Sequence, residues 1–585
     1  MKKIALIILS ILFVFSSFVG CGGGSKLKKD SYLDNFTNIT DENTSSWLQN
    51  KEEIVIDWFV NDSSMSWPSY GYDMVSDAIL EQTGVKINFR FALNDSNEEL
   101  STMISGGALP DVLTIQASAP QASQLADQGY LWPLNTLIER FAPSMKKTYY
   151  EQQKDVFQWF ERKDNKTYGI PNYAYSEYYL GEEKLEPNGC IVVREDWFKE
   201  VTNAGIDMTT KAGFIQGCQY IKGRHTDAIP VQMDRFTSEA GTMGNKAILW
   251  LLEYFAAPYE TREREYNYRL LDPKCQELLL FLNELYRSSL ITSSNFTANF
   301  SAIGRNIAGG KVFAFFGTEQ EFYPYFGSAY EDGYKYIPLI LRNDAGDDPV
   351  LESIAGMGYC LTMVTRASKR PDIVIKLLDY LSSEEGQRLV QYGVEGQTWV
   401  WEDDTHKKIK YTDAYVEAVE KNNIAQFGLG YCTFLTNYLY QEAIRPEGTL
   451  GRRAANIYNA NMKRPLSDYT YNYTAARLLI DTASPNYMSY ITKNNAIEQI
   501  WAQYLPDMIR AKSADKCLEV YNSTIKAMRD AGLDEVLAVQ KQGYQNALEA
   551  VDYAYKWPLY DENYVSPKTG PNGDFSYWKD VVYEG

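Results

Sequence analysis

Strands and helices alternate at the start of the globular part of the chain. The run EIVIDWFV at 53–60 predicts a mostly buried strand, and VKINFRF at 85–91 alternates apolar and polar side chains at every step. A helix is predicted over 71–82, a second helix follows the second strand, and a third strand is predicted at 110–115. Strand–helix–strand–helix–strand with short links is typical of a parallel sheet with right-handed crossovers. The fold class is therefore α/β.

Helices dominate the rest of the chain. Pro273 follows a capping aspartate, and Pro371 opens a second apolar-faced segment, so each is expected to begin a helix. The apolar run at 312–317 predicts a short buried strand, and a late amphipathic helix begins at Leu533. The last residues, 556–585, are rich in Pro, Gly and Tyr and are expected to wrap the surface as a tail.

The N-terminus has the pattern of an export signal. Two lysines precede an apolar run at 4–19, and Gly20 and Cys21 follow it. The run is shorter than the about 20 apolar residues that span a bilayer, although an uncleaved anchor is the alternative. The pattern resembles the lipobox of bacterial lipoproteins, which implies a signal peptide at 1–20 and a lipidated (palmitate-bearing) Cys21. Residues 21–50 are polar and small, which favours a flexible tether of roughly 30 Å.

Charge and composition exclude several function classes. The chain has 585 residues and a net charge of −19, which argues against nucleic acid as a partner. Its two histidines and its scattered cysteines give no pattern of a metal site or a catalytic triad. The six cysteines other than Cys21 are expected to be buried thiols or to form one disulfide or more.

Aromatic side chains are unusually frequent. The chain has 45 Tyr and 12 Trp, which offer flat apolar faces with polar edges. Sugar rings present flat C–H faces bordered by hydroxyls, so this composition suits a carbohydrate ligand. The alternative for any single Tyr is ordinary packing.

Several short segments together resemble extracellular solute-binding proteins of family 1, the large lipoproteins that supply ABC importers of sugars and are related to maltose-binding protein. They occur in the order that is usual in that family. The segments are SGGALPDV at 105–112, GYLWPL at 129–134, KTYGIP at 166–171, VREDW at 193–197, EEG at 384–386 and YGVEG at 392–396.

The resemblance implies a two-lobed, periplasmic-binding-protein-like fold of type II, with discontinuous lobes and a cleft between them. The chain is then expected to cross between the lobes near 172–178, 352–359 and 396. The implied parts are 51–175 in lobe 1, 176–352 in lobe 2, 353–396 back in lobe 1, and 397–555 in lobe 2 with the C-terminal helices.

Candidate ligand-binding residues follow from the strand ends. Ligands of parallel sheets lie beyond the carboxyl ends of the strands. Carboxylates and amides there bind vicinal hydroxyls, and aromatic rings cover sugar faces. The candidates are Asp62, Trp67, Gln116, Tyr173, Tyr175, Glu319, Glu395 and Trp399. Region 209–230 lacks the acidic loop by which large family members bind calcium, so neither a metal nor a cofactor is expected.

The implied function is capture of a carbohydrate, expected to be an oligosaccharide, for delivery to an ABC permease. The protein would be a monomer, held by its lipid on the outer face of the cell membrane, with no nucleic-acid partner, no catalytic residues and no enzyme activity. Two alternatives stay open: a surface glycan-binding or sensor lipoprotein, and a secreted glycoside hydrolase that uses paired carboxylates.

Overall fold

A computed structural model describes most of the chain between residues 27 and 550. The described ranges are 27–49, 51–62, 65–93, 97–117, 119–174, 187, 189–236, 244–245, 247–261, 264–352, 358–406, 409–421, 423–429, 431, 433–437, 462, 464–471, 476, 478–482 and 484–550. The predicted signal peptide, Cys21 and the predicted tail lie outside these ranges.

Two sheets organise the molecule. The strands are β1 Ile54–Asn61, β2 Val85–Phe91, β3 Val112–Gln116, β4 Ile170–Pro171, β5 Cys190–Arg194, β6 Ile229–Met233, β7 Val312–Gly317, β8 Tyr336–Pro338, β9 Leu351–Glu352, β10 Cys360–Val364, β11 Trp399–Trp401, β12 Ile409–Tyr411 and β13 Thr470–Tyr471. The first sheet has five strands in the order β2-β1-β3-β10-β4, and the second has four in the order β6-β7-β5-β8. Two further pairs are small: β11 with β12, and β9 with β13.

Strand direction decides which residues meet at each edge of a sheet. In the first sheet β1 runs parallel to β2 and β3, whereas β10 is antiparallel to β3 and β4. In the second sheet β6 and β7 are parallel, and β5 is antiparallel to β7 and β8. The beginning of β10 therefore lies beside the ends of β1 and β3, and the beginning of β5 lies beside the end of β7.

Helices cover the sheets and form the C-terminal region. They are α1 Met74–Thr83, α2 Glu98–Gly106, α3 Pro120–Asp127, α4 Leu134–Phe141, α5 Pro143–Met145, α6 Lys154–Trp159, α7 Glu195–Asn203, α8 Lys211–Arg224, α9 Ala247–Tyr254, α10 Pro273–Arg287, α11 Phe300–Ala308, α12 Tyr323–Glu331, α13 Pro371–Ser382, α14 Glu384–Tyr392, α15 Asp413–Glu420, α16 Tyr487–Ile509, α17 Ala514–Asp530 and α18 Leu533–Ala550. Short 3₁₀ turns lie at Asp30–Asn35, Ser46–Leu48, Glu151–Gln153, Arg269–Leu271, Ser293–Phe296, Glu319–Phe322, Ala425–Phe427, Thr433–Leu435 and Arg464–Tyr469, and a π-helical turn at Lys146–Tyr150.

Local sequence explains where several helices begin. Asp73 caps α1 by accepting from the Ser76 backbone N–H at 2.8 Å, and the Ser76 side chain completes a capping box. Asp272 caps α10, whose first residue is Pro273, as the sequence predicts. None of the helices in the described part of the chain combines the length and hydropathy needed to cross a bilayer.

Each sheet has its own apolar core. The first core is built around Trp58, Trp132 and Phe141, and the second around Phe315 and Trp501. Trp501 belongs to α16, and Leu533 and Val536 at the start of α18 lie in the same core. The other end of α18 packs on α6 of the first lobe, where Tyr544 and Leu548 contact Val156 and Trp159. The predicted strands and helices over 53–115 are confirmed to within three residues at each end. The five described cysteines are buried free thiols: Cys190, Cys218, Cys275, Cys360 and Cys517.

Residues 27–49 are packed onto the first lobe, which corrects the expectation of a tether that reaches residue 50. Leu33 and Trp47 are buried in the first core. Arg140 of α4 donates to Asp34 at 3.0 Å and to the Leu33 carbonyl at 3.0 Å. Lys28 Nζ donates to the Ala367 carbonyl at 2.7 Å. The composition is that of a linker, but a few large apolar side chains and distant hydrogen-bond partners fix the segment.

A buried carboxylate helps to hold this segment. Asp379 of α13 is 1% exposed and accepts from Ser144 Oγ at 2.7 Å, and Ser144 Oγ in turn lies 2.6 Å from Ser46 Oγ. Burial raises the pKa of Asp379 to about 7, with the serine hydrogen bonds partly offsetting the rise. The carboxyl group is therefore easier to bury when it is protonated.

Asp379 should make the fold less stable as the pH rises. Because its pKa is higher in the folded than in the unfolded chain, its contribution is fully present below about pH 4 and is lost as the pH rises through about 7. Between pH 5.5 and pH 8 we expect the chain to lose about 2 kcal/mol from this group. In Asp379→Asn this difference should vanish, as measured by urea unfolding at both pH values. The exposed Asp332→Asn should behave as the unmodified chain, and an unchanged pH dependence in Asp379→Asn would contradict the assignment.

The region after residue 396 corrects a second expectation. The resemblance placed 397–555 in the second lobe, but its first part packs on the first lobe. Phe434 lies in the first core, with its ring 5.4 Å from that of Trp58 and 5.6 Å from that of Phe89. Met462 and Leu466 lie in the second core. The last crossing between lobes therefore comes after residue 437, not near 396.

Candidate functional site

Loop residues meet at one edge of the first sheet. At this edge β1, β3 and β4 end and β10 begins. We call it the upper edge of the first sheet. The register places Cys360 of β10 opposite Gln116 of β3, and Leu361 opposite Pro171 of β4. Two crossings between lobes leave from this edge, one after Pro171 and one before Cys360.

Three side chains at this edge form a hydrogen-bonded group. Tyr359 Oη donates to Asp62 Oδ2 at 2.5 Å, and Gln116 Nε2 donates to the same oxygen at 3.3 Å. Gln116 Nε2 also lies 3.1 Å from Tyr359 Oη. Asp62 is 2% exposed, whereas Tyr359 is 43% exposed. The buried carboxylate therefore holds an accessible aromatic ring in place at this edge, and a fixed ring suits a sugar face.

The backbone that carries Tyr359 is held by the other crossing. Asn172 Oδ1 accepts from the N–H groups of Tyr359 at 3.2 Å and Cys360 at 2.6 Å. Gly358 has a φ of 85°, and a β-carbon there would collide with the carbonyl oxygen of Asn172. The first crossing and the return crossing are thus locked together at the backbone of Tyr359.

Tyr173 lies at the first crossing in a strained conformation. Its φ of 49° is in the left-handed region, and its N–H donates to the Thr436 carbonyl at 2.7 Å. Its side chain is half-buried. Three separate segments, at 172–174, 358–360 and 436, therefore meet where the chain leaves the first lobe.

The second sheet has an equivalent upper edge, where β6 and β7 end and β5 begins. Trp250 of α9 lies there, half-buried, and its Nε1 donates to Thr318 Oγ1 at 2.9 Å. A β-carbon at Gly189, directly before β5, would lie 2.8 Å from the indole ring. Glycine therefore lets the ring lie flat on the backbone, while Thr318 fixes its orientation.

A group of charged side chains lies at the same edge of the second sheet. Asp234, which follows β6, has a fully buried side chain and accepts from Arg235 Nε at 3.1 Å and from the Arg235 N–H at 2.6 Å. Arg235 also donates to Glu321. Burial raises the pKa of Asp234, and hydrogen bonding and charge from Arg235 partly offset the rise.

The predicted ligand residues have different outcomes. Asp62 and Gln116 are brought together at the upper edge, and Tyr173 lies at the first crossing. Tyr175 lies outside the described residues, and of Glu319 only the backbone, at the start of a 3₁₀ turn after β7, is described.

Two tryptophans are core residues instead. Trp67 is 3% exposed, its Nε1 donates to Asp73 Oδ2 at 2.8 Å, and Tyr70 and Phe89 pack on its ring. Trp399 is 2% exposed and donates to the Gly393 carbonyl at 2.9 Å. The expectation that these rings contact a ligand is corrected, because neither ring has a free face.

Glu395 pairs with Trp399 through a backbone bridge and is itself exposed. It belongs to the turn between α14 and the β11–β12 hairpin. The described contacts of this turn are made within the hairpin and α14, so they do not join Glu395 to the group at Asp62.

Metal binding has no support in the described ranges. No group of three or more His, Cys, Asp or Glu side chains within them is arranged to hold a metal ion.

The matching protein family agrees with this architecture. Residues 75–393, more than half of the chain, match the sequence model of the family described as bacterial extracellular solute-binding protein. The chain belongs to that family. The members of this family are binding proteins, so the two upper edges are a candidate ligand site of a solute-binding protein. Among curated proteins, none matches the chain.

Solved structures show the same two-lobed fold. The ABC-transporter substrate-binding protein FusA of Streptococcus pneumoniae, in complex with kestose, is 16% identical over 85% of this chain and 100% of its own, with a TM-score of 0.63. An HMO-binding, ABC-transporter-associated solute-binding protein of Bifidobacterium longum infantis is 16% identical over 85% and 99%, with a TM-score of 0.65. The alginate-binding protein AlgQ2 is 16% identical over 86% and 100%, with a TM-score of 0.56.

Proposed function

We propose that this solute-binding protein captures an oligosaccharide between the upper edges of its two sheets and delivers it to an ABC permease. The observation that carries the proposal is the group of Asp62, Gln116 and Tyr359 on one lobe, with Trp250 on the other. Fixed hydrogen-bonding groups beside accessible rings suit sugars, which present hydroxyls and flat faces in alternation. The sugar-binding proteins of the same fold support the choice of ligand class.

Closure of the lobes is the expected consequence of binding. A ligand shifts an open–closed equilibrium only if it binds the closed state better. A sugar that contacts Tyr359 and Trp250 at once meets that condition, because the two residues belong to different lobes. Asn172 and Gly358, which lock the two crossings, lie directly behind this contact and would transmit the motion.

A ligand panel tests the proposal. The chain carrying Cys21→Ser, which removes the lipidated residue, is titrated calorimetrically with neutral and acidic oligosaccharides of two to six sugars. We expect at least one to bind with a Kd in the micromolar range or below and to leave intact after incubation. Release of reducing sugar would show hydrolysis instead, and a panel without any binding would overturn the proposal.

Trp250 should contribute a stacking surface for one sugar ring. We expect Trp250→Ala to weaken oligosaccharide binding by about 10-fold, since aromatic stacking contributes on the order of 1 kcal/mol beyond buried area. The control is Trp401→Ala, which removes an indole of the β11–β12 hairpin that stacks on His406 at 4.7 Å. Equal losses in both variants would show that the effect does not arise from a ring at the second upper edge.

We also propose that Cys21 carries a lipid that holds the protein at the outer face of the membrane. Because residues 27–49 are packed on lobe 1, only 22–26 remain as a linker, with an extended reach of roughly 20 Å. In cells, Cys21→Ser should move the protein from the membrane fraction to the medium and reduce uptake, while the Kd for sugar stays the same. Retention of the variant in the membrane fraction would contradict lipid anchoring and favour an uncleaved anchor.

A further inference from the structure

We infer that the oligosaccharide bound at the two upper edges is uncharged, and that Asp234 and Glu321 enforce this by neutralising Arg235. The inference rests on the proposed function and narrows it from oligosaccharides in general to those without carboxylate or sulfate groups. Two observations support it. One is the charge of the side chains on the strand-end loops, and the other is the set of side chains already bound to the Arg235 guanidinium.

Arg235 is the one cationic side chain among the described residues within two positions of the strand ends at the two upper edges. Proteins recognise sugar carboxylates and sulfates chiefly through arginine, because its planar fork fits two oxygens at once. Among the described residues of these loops, Arg235 is therefore the group that could bind an anionic sugar.

Arg235 is already engaged on its edges and its faces. Its Nε lies 3.1 Å from Asp234 Oδ1, and a terminal nitrogen contacts Glu321 Oε2. Its guanidinium carbon lies 5.1 Å from the centre of the Phe300 ring and 5.9 Å from that of Phe322. Only 22% of the side chain is exposed. An incoming carboxylate would have to replace carboxylates that the fold holds in place.

Carboxylates outnumber cations among the described residues of the two edges. Asp62, Asp234 and Glu321 lie there, together with one guanidinium, that of Arg235. In addition, Asp234 Oδ2 is buried without a hydrogen-bond partner within the described part of the chain. Carboxylate oxygens accept hydrogen bonds, and sugar hydroxyls donate them, so a neutral sugar complements this set. A uronate adds an acceptor and a like charge, which weakens binding.

The test compares one sugar with its own oxidised form. The tightest-binding neutral oligosaccharide of the panel is converted at a primary hydroxyl to the uronic acid, and both are titrated at 20 mM and 500 mM salt. We expect the uronate to bind at least 30-fold more weakly at low salt, with a smaller difference at high salt because salt screens the repulsion. Uronates or sulfated sugars that bind as tightly as neutral ones would overturn the inference and leave the proposed function intact.

A double variant distinguishes electrostatic from steric rejection of the uronate. In Asp234→Asn combined with Glu321→Gln, Arg235 is released, and the discrimination against the uronate should fall by at least 10-fold. A merely steric rejection of the carboxylate would give the same discrimination in the variant and would overturn the inference. If no sugar of either kind binds the unmodified protein, the proposed function fails together with the inference.

Discussion

Replacing Asp62 by alanine is expected to weaken oligosaccharide binding by about 100-fold. A hydrogen bond that involves a charged group contributes roughly 1.5–3 kcal/mol, which corresponds to a factor of about 10 to 100 in Kd. Asp62 sits at the upper end of that range, because its Oδ2 also orients Tyr359 at 2.5 Å and Gln116 at 3.3 Å. Titration calorimetry measures the loss directly.

The matched control lies on β1, the strand that Asp62 follows. Asp57 of β1 is exposed and accepts from Asn88 at 2.7 Å, away from the upper edge. Asp57→Ala should change the Kd less than 2-fold. Tyr359→Phe should fall between the two, at about 10-fold, because it keeps the ring and removes the hydroxyl. If Asp62→Ala binds sugar as well as Asp57→Ala does, the first upper edge is not the site.

Replacing Arg269 by methionine is expected to cost about 3–5 kcal/mol of the free energy of unfolding. Arg269 is 3% exposed and lies between two buried carboxylates, 3.4 Å from Glu352 Oε1 and 3.6 Å from Glu253 Oε1. Its guanidinium carbon also lies 3.5 Å from the centre of the Tyr259 ring. Burial and the neighbouring Glu352 raise the pKa of Glu253, which Arg269 partly offsets. Removing the cation takes the guanidinium away from both buried carboxylates.

Urea unfolding checks this prediction against two further variants. Arg388→Met breaks an exposed pair with Glu384 on α14 and should cost less than about 1 kcal/mol. Adding Glu253→Gln and Glu352→Gln to Arg269→Met should restore about half of the loss, because the two buried negative charges are removed. A loss for Arg269→Met no larger than that for Arg388→Met would contradict the account of this cluster.

The Arg269 cluster also bears on the ligand site. Glu352 ends β9, and the chain then returns to the first lobe at Gly358 and Tyr359. The cluster therefore anchors the second-lobe end of a crossing whose first-lobe end carries a proposed ligand residue. In variants that still fold, a weakened cluster should loosen this crossing and lower sugar affinity without touching the sugar.

The half of the site on the first lobe could be predicted in part from the sequence. Asp62 and Gln116 follow strands whose apolar patterns are clear, and parallel strands end at one edge. Tyr359, the third residue of that hydrogen-bonded group, is not among the residues predicted from the sequence, because it precedes its strand. It reaches the upper edge only because β10 runs antiparallel to β3, and strand direction is set by the whole topology.

The errors have a common physical origin, which is packing between distant segments. Trp67 has the right position after β1, but its loop folds back so that Asp73 binds the indole. Trp250 lies in the apolar run AILWLLEY, which is typical of a buried helix. Its orientation depends on Gly189 and Thr318, each more than 60 residues away. Residues 27–49 have the composition of a linker, but they are fixed by hydrogen bonds to Arg140 and Ala367, which are distant in the sequence.

A crystal structure of the protein with the neutral oligosaccharide that binds most tightly tests the central claim most directly. The account predicts one sugar chain between the two upper edges, with a hydroxyl hydrogen-bonded to Asp62 and a ring stacked on Trp250. Asn172 and Gly358 should keep their contact while the lobes close around the sugar. A sugar bound elsewhere, for example on the β11–β12 hairpin, with both edges free of ligand, would contradict it.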